Sequence, residues 1–330
     1  MARNLHLSMS RGMWSGLTLM MLALLVILSL FFDYEERTLV FNLPILEFRG
    51  VHTLGILCLG GTCGLLGAIF QRLLNNPLVD GHILGVASGG QVLLLVATVY
   101  GWQLGIQLPI LLNTYLWILA GCLVTSVFFL GLLRWVDTDK MYLLPLFGFM
   151  LNGFWSGVSS LLFVDYSSPF VQAILAKLSG HVTIPQQNEI FWILGLWVIF
   201  ILLLFAKRRN MMILSLGQNE GILNGLKVQK ELFGVILLLC LFATLAVSVF
   251  GFVGYLGIFV PHQVRKFART EQGVWLGSLV LGGIVLLGLD FVVKFFFYPR
   301  NIPLGSVVGL VGIPLLVLQF LKHKNPQMRA

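Results

Sequence analysis

The sequence predicts an all-α polytopic membrane protein of about ten transmembrane helices with both termini cytoplasmic, and three observations carry that expectation. First, 58% of the 330 residues are hydrophobic and 10% are charged, whereas soluble domains hold roughly 45–50% apolar and about 25% charged residues. Second, apolar runs long enough to cross a bilayer recur along the chain, without the ~10-residue alternating segments of a transmembrane barrel. Third, the basic residues gather on alternate connections between those runs. No long polar segment divides the runs, so residues 1–330 read as a single transmembrane domain.

The first run, 13–32, exceeds the ~7–15-residue core of a signal peptide. Asp33-Tyr34-Glu35-Glu36 follows it in place of a small-residue cleavage site, so it reads as a retained span. Further runs fall at 54–70, 82–100, 110–133, 141–164, 189–205, 231–250, 252–264, 273–297 and 303–321. The eighth, 252–264, is short for a full crossing and carries Pro261 near its end. An even number of spans puts both termini on one side. With that side in the cytoplasm, sixteen of the 21 Lys and Arg lie inside, and Arg37, Arg49, Lys177, Lys294 and Arg300 lie outside. This is the positive-inside asymmetry. It accounts for the net charge of +8 without a nucleic-acid partner.

Cys58, Cys63, Cys122 and Cys240 all fall inside apolar runs and read as small buried residues. Glycines recur four apart at Gly60/Gly64, Gly81/Gly85/Gly89, Gly153/Gly157, Gly273/Gly277 and Gly305/Gly309. That spacing puts small residues on one helix face and lets neighbouring backbones approach. Gly217, Gly221 and Gly225 lie instead in a polar inner connection, 210–230, whose Met212, Leu216, Leu223 and Leu226 have near-helical spacing. Three glycines weaken a surface helix by roughly 1 kcal/mol each, so a docking partner explains this segment better than a membrane surface does. An outer connection, 165–188, is long enough to hold structure of its own.

The motifs of catalysis are absent: there is no GxxxxGK[ST], HExxH or GxSxG. The six histidines are scattered among different loops and span ends, so neither a metal site nor an enzyme is expected. Asp290 and Lys294 lie four apart on the ninth span and can pair. They are either a structural ion pair or the acid of an ion-coupled carrier. On the fifth span Asn152, Ser156, Ser159 and Ser160 share a face with Gly148 and Gly153 nearby. Such a stripe either joins helices or lines an aqueous path.

The stretch 67–90, GAIFQRLLNNPLVDGHILGVASGG, is the most informative of the chain. With Gln71, Asn76, Pro77, Leu78, Gly85, Val86, Ser88 and Gly89 it resembles the FecCD-type (type II) permeases of bacterial ABC importers for iron–siderophore complexes, haem and cobalamin. Gly81 and His82 stand where that family usually has Pro and an aromatic or apolar residue. The block 252–265, FVGYLGIFVPHQVR, with Pro261, His262 and Arg265, is similar to a second family motif. The block 302–314, IPLGSVVGLVGIP, with Pro303, Gly305, Gly312 and Pro314, is similar to its final-span motif.

The resemblance implies roles. Leu216, Gly217, Glu220, Gly221 and Gly225 correspond to coupling helices that dock into an ATPase subunit, with Gly221 and Asn224 departing from the family's Ala and Leu. The fifth and final spans line the family's central pathway, which implies a transport role for Asn152, Ser156, Ser159 and Ser160. Family members meet a substrate-binding protein through outer arginines. Arg49 fits the first position, His52 occupies the second, and Arg300 adds another outer cation. The implied machine is an alternating-access importer in a bacterial cytoplasmic (inner) membrane. Its partners are a second permease subunit, two ATPase subunits carrying ATP and Mg, and an external binding protein; the chain itself holds no cofactor. An ion-coupled secondary carrier and a non-transporting scaffold are the rival classes.

Overall fold

A computed structural model describes residues 11–34, 36–39, 41–81, 144–163, 187–251, 253–300 and 302–324, together with 85, 88–90, 92, 93, 95, 96, 117, 120, 121, 123–128 and 131. Its named helices are α1 (Arg11–Phe31), α2 (Leu43–Leu73), α3 (Leu144–Phe163), α4 (Gln187–Ala206), α5 (Arg208–Leu214), α6 (Gln218–Leu223), α7 (Val228–Phe250), α8 (Leu256–Val264), α9 (Glu271–Phe297) and α10 (Leu304–Lys324). Extended structure among the described residues is a single Phe32–Leu39 bridge. The expected spans 82–100 and 110–133 and the outer connection 165–188 lie largely outside the described residues, as do His82 and Cys122. Leu43–Leu73, Glu189–Ala206, Val228–Val247 and Glu271–Phe297 are long and apolar enough to cross a membrane.

Helix α2 begins about three turns earlier than the apolar run at 54. Glu47, Arg49 and His52 interrupt hydrophobicity but not helicity, and a proline in the first turn suits a helix start, where its missing N–H costs nothing. The segment read as the eighth span is a nine-residue helix, α8. At 1.5 Å per residue it covers about half of a ~30 Å hydrocarbon core. Gly251 ends α7 with φ +97°, and Tyr255 opens α8 with φ +68°. These two residues break the helical backbone, so α7 and α8 are separate helices.

Helices α2 and α9 form the centre. They run antiparallel in one continuous register: His52 meets Asp290, Gly60 meets Gly282, Gly64 meets Ser278 and Arg72 meets Glu271. A Cβ on Gly60, Gly64 or Gly282 would collide with the opposite backbone, so only glycine permits this approach. Nineteen residues of α2 are buried, and α1, α4, α5, α7 and α8 pack against it as well as α9. Trp197 on α4 donates from Nε1 to Thr62 Oγ1 on α2 at 2.7 Å. Phe200 on α4 stacks on Phe242 of α7 with ring centroids 5.3 Å apart. The Thr270 hydroxyl caps α9 by accepting from Gly273 N at 3.1 Å.

Candidate functional site

The predicted coupling segment, 210–230, folds as the end of α5, then α6, then the start of α7. Gly217 turns the chain between α5 and α6 with φ +123°, and Gly225 turns it between α6 and α7 with φ +75°. Both angles favour glycine. At Gly221 a Cβ would lie 2.6 Å from Val228 Cγ2, so α6 sits directly on the start of α7. Glu220 faces solvent, and Leu216, Ile222 and Leu223 are 63%, 59% and 79% exposed. These three apolar side chains are left uncovered by the chain itself.

This segment is tied to the helix core by polar contacts. Lys207 Nζ and Asn210 Nδ2 each donate to Glu231 Oε2 at 3.0 Å. Asn75, in the turn after α2, donates from Nδ2 to Ser215 O at 3.2 Å. Asn75 holds φ +47°, a conformation asparagine tolerates better than most residues. Next to it Asn76 Oδ1 accepts from Leu78 N at 3.0 Å, closing an Asx turn with Pro77 exposed at its tip. Sequence reasoning assigned Asn76 and missed Asn75; the Asn-Asn-Pro run marks a turn but not which amide reaches across.

One turn back on α2, buried Gln71 donates from Nε2 to Gly257 O at 3.0 Å and to Ile258 O at 3.4 Å in the first turn of α8. Pro261 explains this contact. An α-helical carbonyl accepts from the N–H four residues on, and Pro261 has none to offer Gly257 O. Gln71 and Pro261, read as separate motif positions, are therefore two halves of one hydrogen-bonding solution. The buried Asp80 carboxylate also lies against Gly257, and a Cβ there would collide with it. Arg265 Nη2 donates to Ala68 O at 3.4 Å, and His262 is half-buried beside it on α8.

At the opposite end Arg49 turns inward. It donates to Phe32 O at 2.8 Å and pairs with Asp33 Oδ2 at 3.1 Å. His52 Nε2 lies 3.0 Å from Asp290 Oδ2, while Lys294 Nζ reaches both His52 and, at 2.9 Å, Asp290 Oδ2. Asp290 and Lys294 do pair, as their spacing predicts, and His52 joins them. Nearby, burial pushes the Tyr34 phenol well above its ordinary range, and the Asp290 carboxylate adds to that push. Arg300 is exposed.

On α3 Asn152 and Ser159 are half-buried, and Ser156 and Ser160 are exposed. The Ser159 and Ser160 hydroxyls donate to the carbonyls of Trp155 and Ser156 at 2.9 Å, one turn back. Gly85, at φ +72°, packs on this helix: a Cβ there would lie 3.1 Å from Asn152 N. Beside Gly153 and Gly157 there is open space. In α10 a Cβ on Gly309 or Gly312 would lie 3.5 Å or 3.7 Å from Tyr255. Pro303 precedes α10, Gly305 lies in its first turn, and Pro314 is exposed within it.

Comparison with known proteins gives consistent matches. Residues 12–322 match the model of the FecCD transport family. The chain is 27% identical over 293 residues to the "Probable siderophore transport system permease protein YfhA" of Bacillus subtilis, covering 86% of this chain and 83% of that one. It is 28% identical over 293 residues to a "Probable iron chelatin transport system permease protein" of Helicobacter pylori, covering 87% and 85%. With the "Vitamin B12 import system permease protein BtuC" of Yersinia enterocolitica it shares 25% identity over 285 residues, covering 84% and 82%. Its fold is similar to a solved structure described as an inward-facing "metal-chelate type ABC transporter", with TM-score 0.80 and 22% identity over 95% of this chain and 100% of that one.

Proposed function

The chain belongs to the FecCD transport family, and on that premise we propose that it is the permease subunit of an ATP-driven importer whose cargo is an iron–siderophore or related bulky iron complex. It is a membrane protein of the type II ABC importer permease class. The iron cargo is supported by relatives named for siderophore and iron chelatin transport; a relative named for vitamin B12 supports cobalamin as an alternative, and haem is the other alternative that the sequence resemblance implies.

The observation that carries the reading is the α5–α6 segment. Its Leu216, Ile222 and Leu223 face outward while Asn75 and Glu231 anchor its backbone and polar side chains to the helix core. That is a surface built to receive a partner and to be moved by it. Two ATPase subunits, holding ATP and Mg, dock there. A second permease subunit completes the pathway along Asn152, Ser156, Ser159 and Ser160, and an external binding protein delivers cargo to the face carrying Arg300. Arg49 and His52 act at that face by shaping it, since both are engaged with the chain's own residues. ATP-driven change at the docking segment alternates access because the ATPase binds the two states unequally.

The test is uptake in a strain lacking the chain against its complemented parent, with iron hydroxamate, haem and cobalamin offered in parallel, with and without ATP depletion. Loss of one ATP-dependent uptake names the cargo. Uptake that survives ATP depletion sinks the importer reading and favours an ion-coupled carrier. If no cargo depends on the chain, the scaffold reading takes its place.

A further inference from the structure

Resting on the importer reading, we infer that Gln71 and Asn75 form a mechanical tie that carries movement of the ATPase-docking segment to the half-helix α8. The two side chains lie one turn apart at the end of α2. Asn75 holds the docking segment through Ser215 O at 3.2 Å, and Gln71 holds the first turn of α8 through Gly257 O at 3.0 Å. Helix α8 is a separate element from α7 because Gly251 and Tyr255, with φ +97° and +68°, break the helical backbone before it. At its start Tyr255, 44% exposed, lies against Gly309 and Gly312 of α10. Contacts therefore run unbroken from Ser215 through α2 to α8 and on to α10. Coupling of this kind needs an element with two arrangements that both ends bias, and in the proposed tie α8 takes that part. Gln71 is a positioning residue: it does not have to touch cargo.

A purely structural role for Gln71 is separable by design. Gln71→Met keeps the volume and removes the donor, leaving Gly257 O unsatisfied. Pro261→Ala restores a backbone N–H that can reach the same carbonyl. The assembled transporter with its own ATPase, in vesicles, gives three readings: melting temperature, ATP hydrolysis and uptake of radiolabelled iron hydroxamate, or of haem or cobalamin where the strain test names one of those. In Gln71→Met the melting temperature falls. In Gln71→Met with Pro261→Ala it recovers, hydrolysis continues, and uptake per ATP remains down by roughly tenfold, in line with usual coupling energies. Recovery of uptake together with melting overturns the tie and leaves Gln71 as a carbonyl partner only.

Asn75→Gly, on the exposed turn, tests the other end without disturbing the core, because glycine accepts φ +47° readily. It should melt normally and be uncoupled to a similar degree; normal uptake per ATP in this variant overturns the tie even if the double variant fails to fold. Failure of the importer reading is distinguishable, since the unmodified transporter would then show no ATP-dependent uptake at all.

Discussion

Gly282 shows how much one atom can decide in this chain. A Cβ at that position would meet the Gly60 backbone, and overpacking of a close contact costs about 1–3 kcal/mol or more. Gly282→Leu should therefore lower the melting temperature in detergent sharply. Gly153→Leu, facing open space in the single chain, should leave melting unchanged and weaken permease–permease assembly, read by cross-linking between two copies. Equal effects of the two variants would contradict this division of the glycines. Asp290 gives a second contrast. Removing one partner of a buried ion pair costs about 3–5 kcal/mol, and the 32% exposure of the Lys294 side chain brings the expected cost below that range. Asp290→Asn should thus reduce stability while the folded fraction keeps ATP-dependent uptake. Loss of uptake at full stability would point to an ion-coupled carrier instead.

At the scale of elements, the docking segment depends on two glycines for backbone shape rather than for space. Nothing lies within 4 Å of a Cβ at Gly217 or Gly225, yet their φ values are +123° and +75°. Side chains with a Cβ pay roughly 1–2 kcal/mol per residue in the left-handed region. Replacing both with leucine should leave membrane insertion intact and abolish co-purification of the ATPase; normal co-purification and uptake would remove this segment from the docking role. The same scale explains where hydropathy misled. It clipped α2 because Glu47, Arg49 and His52 are polar, although each sits on a continuing helix where Arg49 is met by Phe32 O and Asp33, and His52 by Asp290. It also read 252–264 as a weak span, where the backbone makes a half-helix after a break.

For the whole molecule, the sequence by itself determined the class: a helical membrane permease, its central apolar helices and its family motifs. Hydrophobic length, charge asymmetry and glycine-marked turns are local quantities, set by how each segment partitions between water and lipid, so they are legible one segment at a time. Only the tertiary structure decided which residues act together. Gln71 and Pro261 are 190 positions apart and His52 and Asp290 are 238 apart, and no periodicity links them. The resemblance implies that Arg49 and His52 meet a binding protein, and only the fold shows that Arg49 also pairs with Asp33 and His52 lies against Asp290. The physical reason is that a buried donor, acceptor or charge must find a counterpart wherever the packed helices bring one, and that choice is made across helices rather than along them.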